Sequence, residues 1–245
     1  MRNIGQPCGE VWQEQGPAAA VEVCRARGEA CPTYRDVELD AETGLPQTCA
    51  LLLWERMLAA AGVAKRERLV LRAGLMNAPA LATRTPLTAV TAWLAHEACD
   101  LGKAGRLRGD EALLVLGGTR GAGKTIAACY ALAHGGPRGM PGGRYLLADE
   151  LMATDAPLNR WAREPILVID QLGHEYFGKD NADWGQSRFE AVLDRRYANL
   201  LPTILCGNLD RDDFAKRYGP IIEDRLTGDG AFLFFKLPSL RGRAA

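Results

Sequence analysis

Apolar and polar positions divide this chain into two stretches of different character. From residue 112 onwards, short apolar runs alternate with longer mixed segments. Ala112 to Leu116 is apolar throughout and leads into glycines. Arg144 to Ala148 is a second run, and Pro165 to Asp170 a third that ends in an acid. Thr203 to Cys206 and Ala231 to Leu237 complete the set. A strand with one wet face alternates, so near-continuous apolar runs predict strands covered on both faces. Between them the spacing turns helical. A helix is predicted from Lys124 to about His134, stopped by Gly135-Gly136. Ser187-Arg188-Phe189-Glu190 reads as a capping box opening a helix to about Asn199, with Pro202 beyond it. Asp210 and Asp213 open another helix, Gly219-Pro220 closes it, and a short helix follows from Pro220 to Leu226. Strands and helices in alternation predict an α/β fold around a parallel sheet.

Residues 1 to about 80 lack that order. One helix stands out there, from about Gln47 to Ala61, with Gly62 as its left-handed cap. Leu51, Leu52, Trp54, Met57 and Leu58 span more than one of its faces, which predicts an apolar surface offered to a protein partner, the alternative being ordinary core packed onto the larger domain. A second helix is expected from Pro86 to Asp100, with Thr85 as N-cap and Gly102 past its end. The pattern suggests a small module over 1–80 and a larger domain over 81–245.

Composition changes the picture little. The 245 residues are 47% hydrophobic and 24% charged with zero formal net charge, so no global field draws the chain onto nucleic acid. Any DNA contact must come from local clusters: Lys65/Arg66/Arg68/Arg72, Lys103/Arg106/Arg108 or Arg195/Arg196. No apolar run is long enough to span a membrane, and Met1 to Cys8 is too polar for a signal-peptide core. Seven scattered cysteines suit a reducing cytoplasm better than a disulfide framework.

The chemistry lies in the glycines after the first run. Gly118-Thr119-Arg120-Gly121-Ala122-Gly123-Lys124-Thr125 fits the pattern G-x-x-x-x-G-K-T without a gap, after a strand and before a helix. Glycines let backbone N–H groups curl around phosphate oxygens, and the helix N-terminus adds its positive end. Lys124 is expected on the β- and γ-phosphates of ATP and the Thr125 hydroxyl on magnesium. Ile166-Leu167-Val168-Ile169-Asp170 resembles a Walker B strand, with Asp170 as the second magnesium residue. The next position, where an acid usually activates the attacking water, holds Gln171. An amide can orient a water but cannot take its proton, so slow hydrolysis is expected. Glu175 is the nearest acid, past Gly173. Asn208, after the strand Thr203–Cys206, is expected to face the γ-phosphate as a sensor.

From Leu113 onwards the chain resembles the DnaC/IstB group of AAA+ proteins, which includes bacterial and phage loaders of the replicative helicase. The resemblance rests on the P-loop, Val168-Ile169-Asp170-Gln171-Leu172-Gly173, the stretch from Arg188 to Tyr197, and Leu201-Pro202-Thr203-Ile204-Leu205 with Gly207-Asn208-Leu209. Ile222-Glu223-Asp224-Arg225-Leu226 follows at the spacing of the family's arginine-finger segment. It implies a five-stranded AAA+ sheet of order 5-1-4-3-2 and Arg225 acting on a neighbouring subunit. It also implies a replicative helicase hexamer and single-stranded DNA as partners. An IstB-like transposition helper, or an adaptor that hydrolyses weakly, are the alternative readings. The family usually has an acid where Gln171 stands. The first 80 residues also look like a worn form of a zinc module found in some loaders. Cys8, Cys24, Cys31 and Cys49 lack the close pairing of structural zinc sites, so zinc is not expected.

Overall fold

A computed structural model of the chain describes residues 50–76, 85–136, 141–151, 153, 155–175 and 182–239. By contact density the chain separates into two units, 1–80 with 133–142, and 81–132 with 143–245. Cys8, Cys24, Cys31 and Cys49 lie outside the described residues.

In the first unit, helix α1 runs Ala50–Ala60 and α2 runs Lys65–Met76. Gly62 joins them at φ 92°, the left-handed position the sequence marks for it. Val63 N–H donates to Leu58 O at 3.0 Å across this turn. Leu52, Trp54 and Leu58 are buried, whereas Leu53 is exposed. The expectation of an open apolar face led by Trp54 is therefore corrected: the indole is core, and the outward residues of α1 are different ones. Arg68, placed by sequence in a candidate DNA cluster, is buried and donates to Val63 O at 2.9 Å.

The second unit begins with α3, Pro86–Leu94, capped by the Thr85 hydroxyl, which accepts from Thr88 N–H at 3.2 Å. The helix stops six residues before the expected Asp100, because a Schellman turn closes it. His96 adopts φ 54°, Glu97 N–H reaches back to Ala92 O and His96 N–H to Trp93 O. Freed from the helix, Cys99–Asp100 (β1) pairs antiparallel with Arg106–Leu107 (β2) across a short 3-10 turn.

The main sheet contains β3 (Leu113–Gly118), β4 (Arg144–Leu147), β5 (Leu167–Leu172), β6 (Thr203–Gly207) and β7 (Gly230–Phe235). Its order is β4-β5-β6-β3-β7, every pairing parallel. Counted from β3 as the first strand and read from the β7 edge, that is 5-1-4-3-2, the order the resemblance implies. The central strands β3, β5 and β6 are buried nearly throughout, as their apolar runs predict. Helices α4 (Lys124–His134), α5 (Ala148–Leu151), α6 (Leu158–Trp161), α7 (Ala182–Ala198), α8 (Arg211–Tyr218) and α9 (Pro220–Asp229) complete the unit.

Further boundaries differ from expectation. Helix α7 starts at Ala182, so Ser187 lies inside it and is no cap; Glu190 instead accepts from Gln186 Nε2 at 2.8 Å, an i,i+4 pair. Helix α9 extends to Asp229, and β5 continues two residues past Asp170. Helix α8 follows the sequence closely, with the Asp210 carboxylate accepting from Asp213 N–H at 2.9 Å and Gly219 ending it at φ 85°. Phe189, Tyr218, Phe214 and Phe232 form a connected aromatic series whose ring centroids stand 4.7–5.7 Å apart. Arg196 is buried too. Its guanidinium donates to Thr203 Oγ1, Trp161 O, Glu164 O and Pro202 O, so it ties strand entry to the preceding loop and is not a DNA-facing cation. Burial lowers its pKa to about 10.

Candidate functional site

The glycine loop leaves β3 and enters α4 at the C-terminal ends of the parallel strands, where open α/β sheets place their ligands. Gly118, Gly121 and Gly123 all have positive φ, at 128°, 81° and 91°. At Gly118 the requirement is also steric, since a Cβ would stand 2.1 Å from Phe235 O. The loop is thereby pressed against the end of β7. Thr119 completes that contact: its hydroxyl donates to Leu237 O at 2.7 Å, and its N–H donates to Phe235 O at 3.0 Å. The Thr119 side chain therefore faces the segment that follows β7, a role the sequence did not suggest. Arg120 is exposed and Ala122 buried.

Lys124 is buried, and its ammonium donates to Gly118 O and Thr119 O at 2.8 Å each and to Asn208 Oδ1 at 3.2 Å. Asn208, just past β6, is thus brought to Lys124 from a strand distant in sequence. Its Nδ2 lies 3.2 Å from His174 Nε2. The amide nitrogen is the donor there, so the imidazole nitrogen accepts.

Thr125, the first-turn neighbour of Lys124, donates its hydroxyl proton to Asp170 Oδ2 at 2.7 Å. Tyr145 on β4 donates to the same oxygen at 2.8 Å, and Gln171 N–H donates to Oδ1 at 2.7 Å. The Tyr145 phenol is pushed well above its ordinary value, first by burial and then by the Asp170 charge, so it remains a donor. Between β5 and β6 the register slips: Ile169 faces Leu205, but Leu172 faces Gly207. Three steps on β5 thus match two on β6, a bulge centred on Asp170 and Gln171. Gln171 takes φ 62° there, and its side chain is exposed. Left-handed backbone at a non-glycine residue costs about 1–2 kcal/mol and tends to persist at functional sites.

Glu175 occupies a different environment. Its carboxylate is buried and accepts from Arg217 Nε at 2.8 Å, from Gly173 N–H at 2.8 Å and from the Tyr218 hydroxyl. It is therefore bound into the loop that follows β5. The idea that Glu175 supplies the base missing at Gln171 is at odds with this arrangement. Arg225 stands apart from the phosphate loop's hydrogen bonds. It pairs with Asp194 on α7 at 2.7 Å and lies 4.7 Å over the Tyr197 ring.

Chemically, the loop is a backbone cradle with a buried cation at one end. Beside it sits a hydroxyl–carboxylate pair of hard oxygens, the donor type magnesium takes. The residues fit a magnesium-bound nucleoside triphosphate: a side chain at Gly118 would destroy the cradle, and Thr125 and Asp170 already touch. Strand order, phosphate loop and acid-tipped neighbour strand together decide the fold type. This is a P-loop α/β fold on a five-stranded parallel sheet. Among the described residues no cluster of three or more His, Cys, Asp or Glu side chains forms a metal site of the zinc kind, and no helix is long and apolar enough to cross a membrane.

No family model and no curated protein matches the chain. Solved structures do. The chain is similar to a DnaC helicase loader at 25% identity and TM-score 0.41, over 52% of this chain and 80% of that one. It is similar to DnaI at 22% identity and TM-score 0.39, over 52% of this chain and 72% of that one. The replication initiator DnaA bound to AMPPCP and single-stranded DNA aligns at 17% identity and TM-score 0.43, over 51% of this chain and 40% of that one.

Tyr145 and His174 escaped the sequence reading. Tyr145 is found only through the register of the assembled sheet. It pairs with Val168, and Val168 and Asp170 share a face of β5, so a long hydroxylated side chain there reaches the acid. Nothing in the sequence singled out His174.

Proposed function

We propose that this chain is an ATP- and magnesium-binding switch of slow intrinsic turnover that loads the replicative DNA helicase. The observation that carries the nucleotide part is the convergence of Lys124, Thr125, Asp170 and Asn208 from three parallel strands onto one end of the sheet. The loop N–H groups of residues 118–125 and Lys124 bind the phosphates. Thr125 and Asp170 would hold magnesium, which when bound neutralises charge on the phosphate oxygens. Asn208, fixed by His174, stands beside Lys124 and can sense whether that ammonium has left the loop carbonyls for a phosphate. Gln171, exposed on its bulge, can orient a water without deprotonating it. Turnover would then wait on a partner's contribution.

The loader assignment draws on the sequence segments 168–173, 188–197, 201–209 and 222–226. In this reading the unit holding 1–80 grips the helicase hexamer, and the domain over 81–245 carries nucleotide and touches single-stranded DNA or a neighbouring subunit. Arg225 would reach that neighbour's nucleotide only after letting go of Asp194. Because Trp54 is buried, the gripping surface must be sought elsewhere, with Leu53 the first exposed candidate on α1. The test is to isolate the full chain with and without ATP and magnesium, mix it with the host's replicative helicase, and measure complex formation and ATP turnover. A nucleotide-dependent complex is expected. No complex in either state would remove the loader assignment, and an unchanged complex would remove the switch. The exposed Gln171 favours a second reading, an adaptor that binds ATP structurally; turnover that stays at background with helicase and single-stranded DNA present would support it.

A further inference from the structure

Asp170 is held from three directions. Thr125 approaches from α4, Gln171 N–H from the bulge itself, and Tyr145 from β4. Two hydroxyls share Oδ2, at 2.7 and 2.8 Å. The three contacts are not equivalent. Thr125 is the residue expected on the metal, so its hydroxyl must serve two ligands. Gln171 N–H belongs to a strained bulge. Only Tyr145 comes from a regular strand, paired in register through Arg144↔Leu167 to Leu147↔Asp170. It carries a rigid ring whose rotation about two bonds fixes the phenol oxygen. A carboxylate that would hold a metal, directly or through water, depends on such partners for its direction.

We propose that Tyr145 is the positioning residue of the magnesium site: its phenol locks the Asp170 carboxylate in the rotamer that faces Thr125, so that the site is formed before the metal arrives. The inference rests on the magnesium-nucleotide reading above and deepens it. Without the phenol, Oδ2 keeps one hydroxyl donor in place of two, and the carboxylate can turn away from Thr125 when that hydroxyl rotates. The effect is confined to the metal. Tyr145 donates to Asp170, whereas the phosphates are expected on Lys124 and the loop N–H groups, so metal-free nucleotide binding is expected to change little.

The test uses the full chain and a fluorescent ATP analogue, titrated with magnesium and, separately, in EDTA. Tyr145→Phe is expected to raise the magnesium midpoint about tenfold, at the low end of what loss of an outer-shell partner costs, while leaving the affinity in EDTA within about twofold. In an Asp170→Asn background the same change is expected to add less than about twofold, because the two residues act through one oxygen pair. A magnesium midpoint unchanged by Tyr145→Phe overturns the inference, as does a full penalty that persists in Asp170→Asn. Should Tyr145→Phe melt early in EDTA, Tyr145→His, which keeps a ring and a donor, is compared instead. It is expected to show a smaller magnesium penalty than Tyr145→Leu; equal penalties would overturn the proposal. Nucleotide binding by the natural chain that ignores magnesium altogether removes the parent reading and this inference with it. Magnesium dependence that survives Tyr145→Phe intact removes this inference alone.

Discussion

Asp170 and Glu175 lie five positions apart, are both buried carboxylates, and do opposite things. Asp170 accepts from two hydroxyls and a backbone N–H, all of them neutral. Glu175 is paired with the Arg217 guanidinium and bridged to Tyr218. Neutral donors orient a carboxylate and leave its negative charge available to a cation. A guanidinium consumes that charge and fixes the side chain to the fold. The comparison teaches that burial of an acid near a phosphate loop says little about its role until its partners are known.

The largest expected effect lies at the cation that both phosphate and loop compete for. Lys124→Ala should abolish ATP binding, since it removes the ammonium that donates to the loop carbonyls of Gly118 and Thr119 and is expected on the phosphates. Calorimetry on the folded variant measures this, and unchanged affinity would end the P-loop assignment. Next comes Glu175→Gln, which takes the carboxylate from part-exposed Arg217. A loss of about 2 kcal/mol in urea unfolding is expected, the cost of leaving buried polar partners without their acceptor. ATP affinity in native buffer should hold. If instead stability holds and turnover collapses, Glu175 is a catalytic acid and the contrast drawn above fails.

Gln171→Glu sharpens the same comparison from the other side. A carboxylate on the exposed bulge should raise turnover by about tenfold, a modest share of what a general base contributes. Steady-state phosphate release is the measurement, and a natural chain that already matches the variant would point to another base. The smallest effect belongs to Asp194→Asn. The Arg225–Asp194 pair is partly exposed, so its loss should change stability by less than about 1 kcal/mol. If Arg225 acts across a subunit boundary, adding Asp194→Asn to a Lys124→Ala subunit, which binds no ATP itself, should raise turnover by natural chains mixed with it. Identical turnover with and without Asp194→Asn would leave Arg225 a surface pair of α7 and α9.

Much of the fold was legible where a local rule had no competitor. The apolar runs gave the buried strands, and Asp210 and Gly219 set both ends of α8. Legibility failed where a longer-range contact overrode the local one. The Ser187–Glu190 pattern matches a cap, but α7 had already begun at Ala182, so the same residues sit on a continuous helix. The α3 helix stopped early because His96 turned left-handed, a conformation histidine adopts more readily than most residues but that the spacing around it did not single out. Trp54 looked like a contact residue because composition cannot distinguish an apolar side chain that is covered from one that is not. Arg196 looked like a free cation for the same reason, although four oxygens surround it.

By itself the sequence determined the phosphate loop. Its glycines, lysine and threonine are contiguous, and their backbone and side-chain chemistry acts within a single strand–loop–helix turn. Tertiary structure alone decided which residues share Asp170, which acid is spent on Arg217, and that His174 stands behind Asn208. Those contacts join residues 25 to 45 positions apart. They exist because parallel pairing of β4, β5 and β6, with a bulge at Gln171, brings several strand ends to one edge of the sheet. A hydrogen bond of 2.7 or 2.8 Å depends on that register to a single residue, and register belongs to the assembled sheet, not to any segment read alone.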